Sequence, residues 1–256
     1  MTINTVKELN FSTTYIQAKY VKNVENYHIH NRTIVINPEE TDAYLEETDA
    51  FFKRKVKGIE KHKSIIPAFS STILNDIVVE RAKSLLLLEV IKTRNIAKII
   101  FEEGWALLGN SPDSDFPKDV PLWKSPQYTA GRISVDPFFL TRQSPHPTTQ
   151  EDFTLKVNLW YAPSHTDCLI HDEHDFLEIH TQIFGQGRMQ KFKDHSFDSL
   201  YEDLLMTEGY TQIVAFCQIN AQGEYIYPWH QYYSETDCIW MAIEYHPVAR
   251  ELSSPN

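Results

Sequence analysis

From Gly131 onward, apolar and polar positions alternate in short runs broken by turn residues. The runs cover residues 132–140, 153–161, 176–184, 188–192, 211–219, 224–232 and 238–245. β-Branched and aromatic side chains dominate them, and period-two alternation is the mark of strands with one face buried. Short strands at this spacing predict an antiparallel sandwich or barrel.

The earlier part has a different texture. Residues 42–61 place Tyr44, Leu45, Phe51, Phe52, Val56 and Ile59 near helical spacing. Ser71 or Thr72 is placed to cap a second helix through Ile73, Leu74, Ile77, Val78, Ala82 and the four leucines at 85–88. Residues 95–108 predict a third helix, stopped by Gly109. Only residues 27–36 alternate enough for a strand. Residues 111–126 hold four prolines and read as a loop and boundary. The expected fold is therefore α+β: a largely helical extension over 1–126 and a β-barrel over 127–256. The leucines at 85–88 are too apolar to stand in solvent. They pack on the barrel, on another helix or in a homodimer, and the helical segment is a candidate lid for the barrel mouth.

Composition narrows the class. A chain of 256 residues can bury a substantial core. Its net charge of -11 disfavours nucleic acid and anionic membranes as partners. No apolar run approaches the roughly 20 residues of a bilayer span, and the start lacks a signal-peptide pattern. Cys168, Cys217 and Cys238 form no metal or disulfide spacing, which suits a reducing cytoplasm. With eight glycines, neither a dinucleotide fingerprint nor a phosphate loop occurs.

The chemistry concentrates in one place. Five of the eleven histidines fall between His165 and His195, and His171, His174, Glu178 and His180 share a ten-residue window. Imidazole and carboxylate together suit a divalent first-row metal. On a strand Glu178 and His180 share a face. A turn at Asp175 can bring His174 opposite Glu178. His230, in a second strand-like run flanked by aromatics, is the candidate from elsewhere in the chain. His28 and His30 also share a strand face, but no carboxylate follows at useful spacing and a surface strand is the better reading. His146, between prolines, reads as a solvated loop residue. Cys168 reads as a small buried hydrophobe.

The spacing of His174, Glu178 and Gly185, followed by the later His230 and a closing strand, resembles the cupin superfamily. The resemblance implies a double-stranded β-helix holding a metal inside the barrel on His174, Glu178 and His230. The first histidine position of that pattern falls on Asp172, so His171 needs a bulge to turn inward, and His180 is the other replacement. The first third of the chain has no counterpart in the motif.

A small-molecule substrate is the expected partner. Arg188, Lys191 and Arg132 are candidates to meet its anionic group, and Trp160 to wall the cavity. Open positions in a mixed His/carboxylate shell suit Fe(II) and dioxygen. The alternative is a redox-neutral lyase, isomerase or epimerase using Zn, Ni or Mn, with Tyr227, Tyr232 or Glu173 as general base. A non-catalytic, ligand-binding barrel is the third reading.

Overall fold

The computed structural model describes residues 2–46, 64–111, 115–143, 149–212 and 216–248. The first part of the chain is β-structure, which corrects the expected helices. Its strands are β1 (Thr5–Glu8), β2 (Ile16–Ile29), β3 (Thr33–Asn37), β4 (Ala43–Leu45), β5 (Ile65–Ile66), β6 (Ser70–Leu74) and β7 (Ile77–Val90). They form one seven-stranded sheet, ordered β1-β2-β7-β3-β6, with β4 joining β5 to β7. Most of the expected helix at 42–61 lies outside the described residues. The second expected helix is β6 and β7, and the third shrinks to one 3₁₀ segment, Ile96–Phe101. No helix among the described residues is long and apolar enough to cross a membrane.

The four leucines of β7 explain the difference. All are buried: Leu86 and Leu88 enter one apolar cluster, Leu85 and Leu87 another on the opposite face. A central strand covered on both faces needs a continuous apolar run, and over four residues such a run has no period to tell it from a buried helix.

The remaining elements are β8 (Ala106–Leu107), β9 (Trp123–Lys124), β10 (Tyr128–Val135), a helical turn α1 (Pro137–Leu140), β11 (Glu151–Ala162) and β12 (Thr166–Asp167). They continue with β13 (Leu177–Phe184), β14 (Gly187–Phe192), β15 (Leu200–Met206), β16 (Gln218–Ile219), β17 (Tyr225–Ile226), β18 (Trp229–Ser234) and β19 (Cys238–Pro247). One sheet runs β13-β19-β11-β9-β8, with β10 on β11; the other runs β12-β18-β14-β15. The chain alternates between them. β11 lies in the first and β12 in the second, β13 in the first, β14 and β15 in the second. Thr211 then bridges to Thr181 at the first sheet's edge, β18 returns to the second, and β19 closes the first. This winding is a double-stranded β-helix, so both sheet layers are stitched along the whole barrel.

Facing positions separate two environments. Leu155, Val157, Ile179, Met241, Ile243 and Tyr245 point from the six-stranded sheet toward the first sheet and share its cluster with Ile16, Tyr20, Ile34 and Leu86. That cluster crosses residue 126 of the chain, so both parts contribute to one core. The opposite face looks into the barrel and is polar: Glu178 pairs with Glu244, His180 with Ala242 and Gln182 with Trp240. Trp240 stacks on Tyr232 of the other sheet at 3.8 Å, which closes that end. Gly185 makes the turn between β13 and β14 at φ 73°, where a Cβ would collide with the backbone oxygen of Asp237. That steric need, and no chemistry, accounts for the glycine.

Candidate metal centre

Three imidazoles from distant elements converge at one end of the barrel. His230 lies on β18, and His171 pairs with it through two backbone bonds, His171 N to His230 O (2.9 Å) and the reverse (2.8 Å). His174 sits in the loop before β13. Its Nε2 lies 3.1 Å from that of His171 and 3.2 Å from that of His230. Carbonyl oxygens fix two tautomers. His171 Nδ1 donates to Leu169 O (3.0 Å) and His230 Nδ1 to Pro228 O (2.8 Å), so both Nε2 atoms present lone pairs to the same point. Bare lone pairs at such distances repel, and a shared cation or proton relieves them. The potential ligand atoms of the three histidines all lie within 4.8 Å of one another, and they could hold a metal ion.

Glu178 adds the carboxylate. Its Oε1 is 3.4 Å from His174 Nε2 and its Oε2 is 3.3 Å from His180 Nε2. The carboxylate is 7 % exposed. Burial alone would raise its pKa; the surrounding imidazoles of His180, His174 and His230 reverse this and hold it far below the usual carboxylate range. His230 is 1 % exposed, and desolvation lowers its pKa to about 3. His171 is lowered for the same first reason. A neutral His171 and His230 near an ionised Glu178 are protonation states that suit a metal. Phe176, Phe216 and Tyr227 pack around these rings and restrict water (Phe216 lies 4.5 Å from the His230 ring).

These shifts carry a sign for stability. Between pH 6.5 and about 3 the unfolded chain protonates His230 while the folded, metal-free chain does not, so stability falls as pH falls through that window. Glu178 acts in the same direction: its stabilisation, full above the ordinary carboxylate pKa, is lost as pH drops toward its depressed value. A His230→Leu variant removes the first effect. Thermal midpoints of the chelated proteins should therefore shift against the wild type, relative to His230→Leu, from pH 7 to pH 4. Parallel profiles would contradict the buried neutral imidazole.

The other expected site residues are distributed as follows. His180 pairs with Glu178 and is not among the three histidines whose ligand atoms converge. His171, one residue out of register for a simple alternation, reaches the cluster through an irregular backbone at Leu169, whose φ is 76°. Arg188 points away from the barrel and pairs with Glu235 and with Asp203 (2.8 Å). Lys191 faces inward, in register with His230, and binds Glu202 at 2.7 Å. Arg132 is exposed on β10. Trp160 stands at the far end of the barrel, stacked on Trp240 at 6.4 Å.

The three expected general bases lie as follows. Tyr227 is beside the histidines, but its hydroxyl donates to Phe176 O (2.8 Å) and burial raises its pKa well above 10. Tyr232 binds Gln182 Oε1 at the other end and is raised likewise. Glu173 is exposed. His28 binds Asp76 at 3.0 Å on the surface, Cys168 is buried, and His146 lies outside the described residues.

Two polar groups were not anticipated. Glu244, cross-strand from Glu178 and 5 % exposed, accepts from Gln127 Nε2 and pairs with His246 Nε2, both at 2.8 Å. Turned so that donors meet acceptors, the Asn158 amide also donates to Glu244 Oε1 (3.2 Å). The signal was a single charge in the otherwise apolar run 238–245, on the face of Trp240 and Ala242 and opposite Ile239, Met241 and Ile243. Gln212 carried no such signal.

No protein-family model and no curated protein sequence matches the chain. Among solved structures it is similar to a cupin 2 conserved barrel domain protein from Leptotrichia buccalis (9 % identity, 96 % of this chain and 91 % of that one, TM-score 0.27). It is also similar to the Lactobacillus farciminis oxalate decarboxylase in its formate complex (12 %, 100 % and 87 %, TM-score 0.28). A third is vicilin from Corylus avellana, hazelnut (8 %, 94 % and 85 %, TM-score 0.29). These structural neighbours include cupins, as the spacing of His174, Glu178 and Gly185 leads one to expect. The likenesses are too distant to carry an argument, and the functional reading stands on the chain's own geometry.

Proposed function

We propose that this chain is a metal-dependent cupin-type enzyme, most economically a non-haem Fe(II) oxygenase acting on a small polar or anionic metabolite. The observation that supports it most is the convergence of the His171, His174 and His230 Nε2 atoms with two tautomers fixed by carbonyls. With Glu178 beside them, these residues would offer three nitrogens and one oxygen to a divalent metal. Fe(II) supplies one-electron chemistry with dioxygen, which no side chain here provides. His180 steadies the Glu178 carboxylate. The rings of Phe176, Phe216 and Tyr227 keep the cavity dry, and Lys191, in register with His230, is the cation placed to meet an anionic substrate group. The protein supplies orientation and electrostatics.

A redox-neutral lyase or isomerase is the second reading. It is favoured by the Glu244–His246 pair, a carboxylate–imidazole couple on the same sheet face as Glu178. Tyr227, Tyr232 and Glu173 do not support it. Oxygen uptake by Fe(II)-loaded protein, offered a panel of small carboxylates, separates the two. The expected result is uptake matched to substrate loss in the wild type and none in His174→Ala. Conversion of a substrate without oxygen uptake would give the site to the second reading.

A further inference from the structure

A cavity of about 370 Å³ opens beside β13 and is lined by residues of both its faces, Leu177, Glu178 and Ile179. Leu177 and Ile179, the neighbours of Glu178 in the strand, form its floor. Phe138 and Phe139 of α1, held by bonds from their backbone N–H groups to Asp136 Oδ1, form one wall. Phe216 forms another, and its ring also meets that of His230 at 4.5 Å. The volume falls in the range of small-ligand pockets, and the lining is mostly apolar.

The polar groups of this cavity are unequally engaged. Gln143 is spent on the backbone of Ile219, accepting from its N–H (2.7 Å) and donating to its carbonyl (3.0 Å). Thr141 donates to Pro137 O (2.9 Å), and the Glu178 carboxylate is held by histidines. Gln212 differs. Its backbone N–H binds His180 O (3.0 Å), which fixes the residue at the sheet edge. Its side chain is 3 % exposed, and its Nε2 has no acceptor among the described residues. A buried amide donor without an acceptor costs stability, and such groups mark places where a partner arrives. Arg142, exposed at the rim at φ 56°, forms no ion pair among the described residues.

We infer that this cavity binds a small carboxylate with an aromatic or aliphatic body. The carboxylate accepts from Gln212 Nε2 and Arg142, and the body lies between Phe138, Phe139 and Leu177. Binding here needs no metal, because the donors it uses are Gln212 Nε2 and Arg142, neither of which belongs to the histidine cluster, although Glu178 also lines the cavity. Titration calorimetry with 3-phenylpropionate, on metal-loaded and on chelated protein, tests it. One saturable site of similar affinity is expected in both, with weaker binding of the neutral 3-phenylpropionamide. Gln212→Leu and Arg142→Ala should each weaken binding roughly tenfold to a hundredfold, the loss of a hydrogen bond to a charged group. Gln212→Leu should also melt no lower than the wild type, because it removes an unsatisfied donor. Arg142, being exposed, provides a variant whose folding is not at risk. Absence of saturable binding, binding abolished by chelation, or full affinity in both variants would overturn the inference. Because chelated protein carries the readout, a failed metal site and a failed cavity site give different results.

Discussion

Replacing His230 by alanine is expected to yield folded protein that purifies with less than about a tenth of an equivalent of metal and shows no turnover. Three features concentrate the effect at this residue. His230 is the most buried of the three histidines, and its Nε2 lies 3.2 Å from that of His174. Its tautomer is fixed by Pro228 O, so its Nε2 lone pair is aimed at the cluster. The backbone bridge to His171 uses only main-chain atoms and survives the substitution. The barrel therefore persists, and the loss is specific. Arg188→Ala is the matched control. Its guanidinium faces outward between Glu235 and Asp203, so metal content and turnover should stay at wild-type values, with a stability change of at most about 1 kcal/mol. Normal metal stoichiometry in His230→Ala, confirmed by elemental analysis, would remove His230 from the coordination shell.

Replacing Tyr245 by alanine should cost about 3–5 kcal/mol, a large share of the roughly 5–15 kcal/mol that stabilises a folded domain. The side chain is fully buried where the first sheet meets the six-stranded sheet. Its ring lies edge-on to Phe69 at 6.0 Å and to Phe153 at 6.3 Å. Its hydroxyl donates to Pro38 O at 2.9 Å, so one residue near the end of the chain is tied to the start of it. Tyr245→Phe isolates that bond and should cost about 1–3 kcal/mol, because Pro38 O would lose its donor in the interior. Calorimetry of Tyr245→Ala should show one transition displaced to lower temperature. Two transitions, one of them unshifted, would mean that the parts before and after residue 126 do not unfold together.

The barrel was legible where alternation was clean. Residues 153–161 place apolar side chains at every second position and 238–245 are an apolar run broken by Glu244, and β11 and β19 follow closely. β15 was not anticipated, because Glu202 and Asp203 interrupt the alternation in a strand that is mostly solvent-facing. The first sheet was misread for a physical reason: β7 is covered on both faces in its centre, and continuous burial erases the period on which the distinction rests. Side-chain parity also decides the arginine. In β14 Met189 and Lys191 face inward, so Arg188 between them and Gly187 faces out.

The histidine cluster could be read from composition and spacing, but its ligand order could not. A left-handed backbone at Leu169 moves His171 into the cluster, and nothing in a one-dimensional pattern announces a positive φ at leucine. His180 has the right residue type and the right face, yet it pairs with Glu178 Oε2 while His174 pairs with Oε1. Glu244 and Gln212 depend on pairings between distant strands, which spacing along the chain does not encode.

The most direct test of the central claim is X-ray absorption spectroscopy on protein reconstituted with one equivalent of Fe(II), read beside elemental analysis. The account predicts a single bound ion with nitrogen and oxygen donors at about 2.0–2.2 Å, an imidazole signal reduced in each of His171→Ala, His174→Ala and His230→Ala, and no sulfur donor. An ion whose donor shell is unchanged by all three substitutions would contradict it.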